Sequence, residues 1–174
     1  MRAKQITFLG LMLAVIFVLS TVESLFMPLP FLPPHTRLGL SNIVIMFCVF
    51  CVGRGQAITL VGAKSLFVFL TRGAMAGLLS LSGGLLSVGV IILLVLFENK
   101  RAKSKKISYA AISVAGACAH NLGQYAVVMA LVATPALAYY LPVLLISGMV
   151  AGLITGTLLK ILMPAMADRA QYFK

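Results

Sequence analysis

The chain contains 174 residues, of which 61% are hydrophobic and only 10% are charged, and its mean hydropathy is +1.10. A soluble domain of ordinary composition is about 45–50% apolar and about 25% charged, so these values exclude that class and indicate an integral membrane protein. The 14 basic residues far outnumber the 3 acidic ones, and in a membrane protein such an excess indicates orientation rather than nucleic-acid binding.

Helix breakers separate six apolar stretches, and each stretch predicts one transmembrane helix, because a span takes roughly 20 apolar residues. The first stretch is longer than the apolar core of a signal peptide and has no clear cleavage site, so we expect it to be retained as a helix. We therefore expect an all-α membrane protein with a single domain over residues 1–174. The predicted helices are 5–26, 38–53, 56–71, 79–97, 108–133 and 141–162.

The connections between these helices are also predicted from composition. Four prolines exclude a helix over residues 27–37, since proline cannot continue one. Gly53-Arg54-Gly55 forms a tight polar turn, and residues 72–78 and 134–140 contain glycine or proline. Residues 98–107 form a solvated basic loop, which we expect to orient the chain and to contact anionic lipid.

The basic residues follow the predicted connections. If the N-terminus is cytoplasmic, eleven of the 14 lie on the inner side, Arg37 and Arg72 lie on the outer side, and Lys64 falls within helix three. Cytoplasmic segments of membrane proteins are enriched in lysine and arginine. The distribution therefore predicts six spans with both termini in the cytoplasm of a bacterial cell.

Several ionisable residues are not explained by orientation, and side chains of this kind at membrane depth usually face the bundle interior or a wet cavity. Lys64 has two interpretations: it pairs with Glu23, or it helps to hold a ligand, and both can apply. Arg72, at the end of helix three, belongs to the same outer half of the protein.

The segment before helix two contains a second cluster of polar residues. His35 and Arg37 offer hydrogen-bond donors to an anion, which suggests a lid or a wall of a binding site. Ser41 and Asn42 are alternatively suited to capping the free N–H groups at the start of helix two.

A third cluster of polar residues lies within helix five. His120 and Gln124 are four residues apart and share one face of the helix, and Asn121 and Tyr125 share the neighbouring face. Such side chains in a membrane helix need hydrogen-bond partners, which are either other helices or a polar solute. The predicted substrate-binding residues are Glu23, His35, Arg37, Asn42, Lys64, Arg72, His120, Asn121 and Gln124.

No catalytic residue, metal site or cofactor is predicted. The acidic residues Glu23, Glu98 and Asp168 are far apart in the sequence, whereas a magnesium–diphosphate site needs clustered carboxylates. Cys48 and Cys51 lie in an apolar run without further ligands nearby, and we expect them to pack as small apolar residues. The chain also lacks a phosphate-binding P-loop, so any ATP hydrolysis must come from a partner.

Four sequence blocks together resemble the Gx transporter family, which is also labelled heptaprenyl diphosphate synthase component I. The blocks are Arg37-Leu-Gly-Leu-Ser-Asn42, Leu81-Ser-Gly-Gly84, Ala119-His-Asn-Leu-Gly-Gln124 and Tyr140-Leu-Pro-Val-Leu-Leu-Ile-Ser-Gly148. The resemblance extends over nearly the whole chain. The family is similar to the substrate-binding S components of energy-coupling factor (ECF) transporters.

This resemblance implies a six-helix subunit, not an enzyme, that captures a vitamin-like or anionic solute from outside. Its partners would be one transmembrane coupling protein and two cytoplasmic ATPases. S components carry an Ala-x-x-x-Ala docking motif on helix one, and the matching positions here are Gly10 and Ala14. The family label leaves an alternative, an accessory subunit in a prenyl-lipid, quinone or flavin-linked electron-transfer pathway. Synthase activity of the chain itself is not expected, because prenyl diphosphate synthases carry aspartate-rich metal motifs and this chain has only Asp168.

Overall fold

The computed structural model describes residues 3–25, 39–100, 107–132 and 135–171, and every regular element within these ranges is a helix. Predicted and observed bounds of four helices agree to within two residues. The α-helices are α1 (Ala3–Leu25), α2 (Leu40–Cys51), α3 (Arg54–Arg72), α4 (Ala74–Lys100), α5 (Tyr109–Val132) and α6 (Leu141–Gln171), with a 3-10 helix at Pro135–Tyr140.

Three helices in the described part are long and apolar enough to cross a membrane. Their spans are Gln5–Glu23, Ala74–Glu98 and Ala138–Pro164, with mean hydropathies of 2.2, 2.5 and 2.0. Large apolar side chains are exposed along the bundle; Leu70, for example, is 74% exposed and Ile161 67%. Lipid hydrocarbon can surround these apolar side chains. It can also surround the helical backbone, since a helix satisfies its own backbone hydrogen bonds. The chain is therefore a helical membrane protein, as its composition predicts.

Helix α2 lies at the centre of the bundle. It is the shortest of the six α-helices in the described part and packs against α1, α3, α4 and α6. Its apolar residues are buried on nearly every side, and Phe47 and Cys48 are almost completely inaccessible. A helix that is apolar all round is stable only inside such a core.

Helix α5 lies between α4 and α6, and glycines bring the three backbones close together. A Cβ atom at Gly123 would lie 2.7 Å from the carbonyl oxygen of Ser82, and one at Gly152 would lie 2.5 Å from Cα of Val114. Small residues permit this close approach in membrane bundles, where dispersion contacts drive helix association.

The predicted connection at 72–78 is wrong. Helix α4 begins at Ala74 rather than at residue 79, because Gly73 alone reverses the chain. Gly73 has φ +90°, a conformation that L-residues rarely adopt. Gly77 is helical, and its missing side chain lets α4 pack on Phe69 of α3, whose Cβ would lie 2.7 Å from a Cβ at that position.

Two further boundaries differ from the prediction. Helix α6 continues through Pro164 to Gln171 instead of ending at residue 162, since the following alanines and methionine favour a helix. Within the predicted loop 134–140, residues Pro135–Tyr140 form a 3-10 helix, a common connector between helices. The predicted loop 27–37 and most of the basic loop lie outside the described residues.

Candidate functional site

A cavity of about 310 Å³ opens among α1 to α5. Most of its lining comes from the C-terminal ends of α1, α3 and α5 and the N-terminal ends of α2 and α4, so we refer to this part of the bundle as the cavity end. The lining residues are Glu23, Gly39, Ser41, Asn42, Lys64, Arg72, Met75, Ala76, Leu79, Ser80, His120, Gln124 and Val128. Six of the predicted substrate-binding residues therefore share one cavity.

Lys64 is a buried cationic residue of α3. Its side chain is only 7% exposed, and Nζ donates a hydrogen bond of 2.8 Å to Oδ1 of Asn42 on α2. A buried ammonium group is costly unless oxygen atoms replace its water. The amide of Asn42 therefore stabilises a positive charge at the wall of the cavity.

Glu23 stabilises the start of α2. Its side chain is 4% exposed, and Oε1 accepts a hydrogen bond from the backbone N–H of Gly39. Gly39 is the N-cap of α2, with φ +72° and without a side-chain cap. Capping by Ser41 or Asn42, the alternative considered from sequence, is therefore wrong: a carboxylate from another helix meets the positive end of the helix dipole.

The two interpretations of Lys64, pairing with Glu23 and holding a ligand, both stay predictions. Glu23 accepts from Gly39, and Lys64 donates to Asn42. Both side chains nevertheless line the cavity.

Arg72 ends α3 and is held against α1. Its Nη2 donates a 2.6 Å hydrogen bond to the backbone carbonyl of Ser20. Its Nη1 is buried and has no hydrogen-bond partner among the described residues. A guanidinium group carries five N–H donors, so Arg72 is fixed in position and still has donors available for a further acceptor.

His120 and Gln124 form the α5 part of the cavity wall, on the shared face that their spacing predicts. The His120 Nε2 and Gln124 Nε2 atoms are 3.1 Å apart. Gly83 of α4 lies directly behind them, since a Cβ there would be 2.8 Å from the His120 carbonyl oxygen and 2.9 Å from Cγ of Gln124. The absence of a side chain at Gly83 therefore sets the position of this wall.

Other predicted residues lie elsewhere. Asn121 is buried, and its Nδ2 donates a 2.7 Å hydrogen bond to the Leu144 carbonyl oxygen, so it joins α5 to α6 instead of lining the cavity. Gly10 and Ala14 lie on the exposed surface of α1. His35 and Arg37 lie outside the described residues.

Several lining residues were missed by sequence reasoning. Met75, Leu79 and Val128 are apolar lining residues, and Met75 lies in the segment 72–78 that the sequence predicts as a connection. Ser80 also lines the cavity and lies 3.4 Å from Ser65 between their hydroxyl oxygens. The strongly apolar composition of α4 gives no signal that one of its faces borders a polar cavity.

The described lining of the cavity combines charged, polar and apolar side chains. Its described lining carries two cationic side chains, Lys64 and Arg72, against the single carboxylate of Glu23. Among the residues searched, no group of three or more histidine, cysteine or acidic side chains is arranged to hold a metal ion. Amide, hydroxyl and apolar side chains complete a surface that can orient a small polar molecule.

Comparison with known protein families matches residues 12–162 to heptaprenyl diphosphate synthase component I. The chain has no significant match to a curated protein or to a solved structure. The family match covers most of the 174 residues and includes every helix that lines the cavity, which confirms the family predicted from the sequence blocks. The chain belongs to the heptaprenyl diphosphate synthase component I family.

Proposed function

We propose that the protein is a solute-binding membrane subunit of the ECF S-component type, which captures a vitamin-like or anionic small molecule for uptake. The observation that carries this proposal is the cavity that the five helices α1 to α5 enclose. A helical bundle without a binding role would fill this space with apolar side chains, because polar groups at membrane depth are costly. Here the side chains of Asn42, Lys64, Arg72 and His120 surround open volume.

The proposed orientation follows from the charge distribution. Arg54 begins α3 and Lys160 lies late in α6, both far from the cavity end. With basic residues in the cytoplasm, the cavity end faces outside, six helices span the bacterial cytoplasmic membrane, and both termini are cytoplasmic. A solute would then reach the cavity from the exterior.

Uptake against a gradient requires an energy source, which we assign to partners. The chain has no P-loop for ATP, so one transmembrane coupling protein and two cytoplasmic ATPases would supply the driving force. Gly10 and Ala14 leave an exposed strip of small residues on α1 that would permit close docking of another helix. We propose that this subunit does not itself catalyse a reaction.

Solute retention provides the direct test. The full chain would be purified in mild detergent, and the small molecules that remain bound would be identified by mass spectrometry. We expect a retained solute with the unmodified protein, and strongly reduced retention with Lys64→Ala or His120→Ala. Lys160→Ala changes an exposed lysine outside the cavity and serves as the matched control. Equal retention by all variants, or none by the unmodified protein, would contradict the proposal.

The family name favours a second function, an accessory subunit in a prenyl-lipid, quinone or flavin-linked electron-transfer pathway. In this case the polar groups would serve assembly, and the principal partner would be a prenyltransferase or a redox protein. Affinity purification from native membranes distinguishes the two functions. Recovery of a coupling protein with ATPases supports the transporter, whereas recovery of a prenyltransferase or redox partner without ATPases supports the accessory role.

A further inference from the structure

We infer that the cavity selects a small molecule with one negative charge, of the carboxylate type, and that Arg72 anchors its anionic group. This inference rests on the proposed function and narrows the class of solute. It depends on the charge of the lining, the hydrogen bonds of Arg72 and the presence of both polar and apolar side chains in the lining.

The described lining has an excess of one positive charge. Lys64 and Arg72 are cationic, and the carboxylate of Glu23 offsets one of them. Charges in such surroundings are poorly screened by solvent, so an unbalanced one strongly favours a ligand of opposite sign. A monoanion balances the lining, whereas a dianion such as a phosphate monoester would leave a net negative charge.

The two cations differ in their capacity to bind the anion. Nζ of Lys64 is already bonded to Asn42, whereas Nη1 of Arg72 has no partner among the described residues. The bond from Nη2 to the Ser20 carbonyl holds the guanidinium in place, so little conformational entropy is lost when a ligand binds. A planar guanidinium also matches the geometry of a carboxylate. Arg72 is therefore the anchor, and Lys64 supplies further positive potential.

The remaining surface selects the body of the molecule. Met75, Leu79 and Val128 contribute apolar surface to the lining, whereas His120 and Gln124 offer hydrogen bonds. A volume of about 310 Å³ is at the lower end of the range for ligand sites. The solute is thus a compact, partly apolar carboxylate with at least one further polar group.

A series of probes with the same body and different head groups tests this inference. The purified full-length chain would be titrated with benzoate, benzamide, benzylamine and phenyl phosphate, and with indole-3-acetate, indole-3-acetamide, tryptamine and indoxyl phosphate. Affinities would be measured by native mass spectrometry. We expect the carboxylates to bind at least about tenfold more tightly than their amides, since hydrogen bonds to charged groups are worth roughly that factor or more.

Variants at the two ends of α3 identify the anchor. Arg72→Gln should reduce carboxylate affinity by about tenfold or more and abolish the preference over the amide, while Arg72→Lys retains part of it. Arg54→Gln removes an exposed arginine from the opposite end of the same helix and should change nothing. Thermal unfolding of each variant checks that the fold is intact.

The outcomes separate this inference from the proposed function. The inference would be overturned if the amides, the amines or the phosphates bound more tightly than the carboxylates. It would also be overturned if Arg72→Gln bound the carboxylates as tightly as the unmodified protein does. In both cases the protein would remain a solute binder. Failure of every probe to bind the folded, unmodified protein at millimolar concentration would overturn the inference. If no solute co-purifies either, the proposed function fails as well.

Discussion

The hydrogen bond between Lys64 and Asn42 shows how a single residue pair can stabilise a charge in the interior of a membrane bundle. Nζ and Oδ1 are 2.8 Å apart, and the lysine is almost fully buried. Hydrogen bonds to charged groups contribute about 1.5–3 kcal/mol, more than those between neutral groups. The sequence predicted that Lys64 needs a partner, but Asn42, 22 residues away, is recognisable as that partner only in the folded chain.

A double-mutant cycle tests this pair. We expect Asn42→Leu and Lys64→Met each to lower the unfolding temperature, because each removes one side of a buried hydrogen bond. The double variant should be less destabilised than the two single effects combined, with a coupling energy of about 1–3 kcal/mol. Unfolding can be followed with a thiol-reactive dye, since Cys48 and Cys51 are buried in the folded protein.

Lys160→Met combined with Asn42→Leu is the control, because Lys160 is exposed on α6. The changes in unfolding free energy of these two substitutions should be additive. If the Asn42–Lys64 effects also add, the hydrogen bond contributes no net stability, and the burial of Lys64 must have another cause.

At the scale of elements, the contact between α4 and α5 positions the polar side of the cavity. Gly83 lies against the backbone of His120 and the side chain of Gln124, so the two helices approach closely where the cavity wall is built. Asn121, on the next face of α5, bonds to α6 and fixes the rotation of the helix. The spacing within the polar block predicted two faces, but which face borders the cavity depends on the packing of α4 and α6.

Two glycines of α4 provide a matched test of this contact. A Cβ at Gly83 would lie 2.8 Å from the His120 carbonyl oxygen, whereas a Cβ at Gly89 meets nothing within 4 Å. Gly83→Ala should destabilise the protein by about 1–3 kcal/mol through overpacking and should weaken solute binding by displacing His120 and Gln124.

Gly89→Ala, in the same helix, should be neutral or stabilising by about 0.5–1 kcal/mol, because alanine favours a helix over glycine. Thermal unfolding with the thiol-reactive dye measures both variants. Equal stability of the two variants would show that the close approach of α4 to α5 does not constrain position 83.

At the scale of the whole molecule, the helices alternate in direction, and this alternation collects the polar groups at one end. The connection at Val52–Gly53 lies at the end opposite to the cavity, whereas Gly73 lies beside it. Because basic residues of membrane proteins collect in the cytoplasm, we expect the cavity end to be external.

Cysteine labelling tests this orientation. In a variant whose three native cysteines are replaced by alanine, Tyr139→Cys and Gly55→Cys place single thiols at opposite ends. Tyr139 is 85% exposed, and a Cβ at Gly55 meets nothing within 4 Å. A membrane-impermeant maleimide added to intact cells should label Tyr139→Cys, and should label Gly55→Cys only after permeabilisation. The reverse pattern would place the cavity end in the cytoplasm.

The sequence by itself determined the membrane class, the helical architecture, the family and most helix bounds. Hydropathy, helix breakers and charge are local properties that depend on a few neighbouring residues, so they can be recognised without a fold. The start of α4 was misjudged for the same reason: Gly77 resembles a helix breaker locally, yet it is needed for close packing on Phe69.

Only the tertiary structure decided which polar residues act together. Glu23, Lys64 and His120 belong to three different helices and line one cavity, while Asn121, next to His120 in the chain, bonds to α6 instead. These partnerships depend on how closely and at what rotation the helices pack. Packing depends on contacts between residues that are distant in the sequence, and a local pattern carries no information about them.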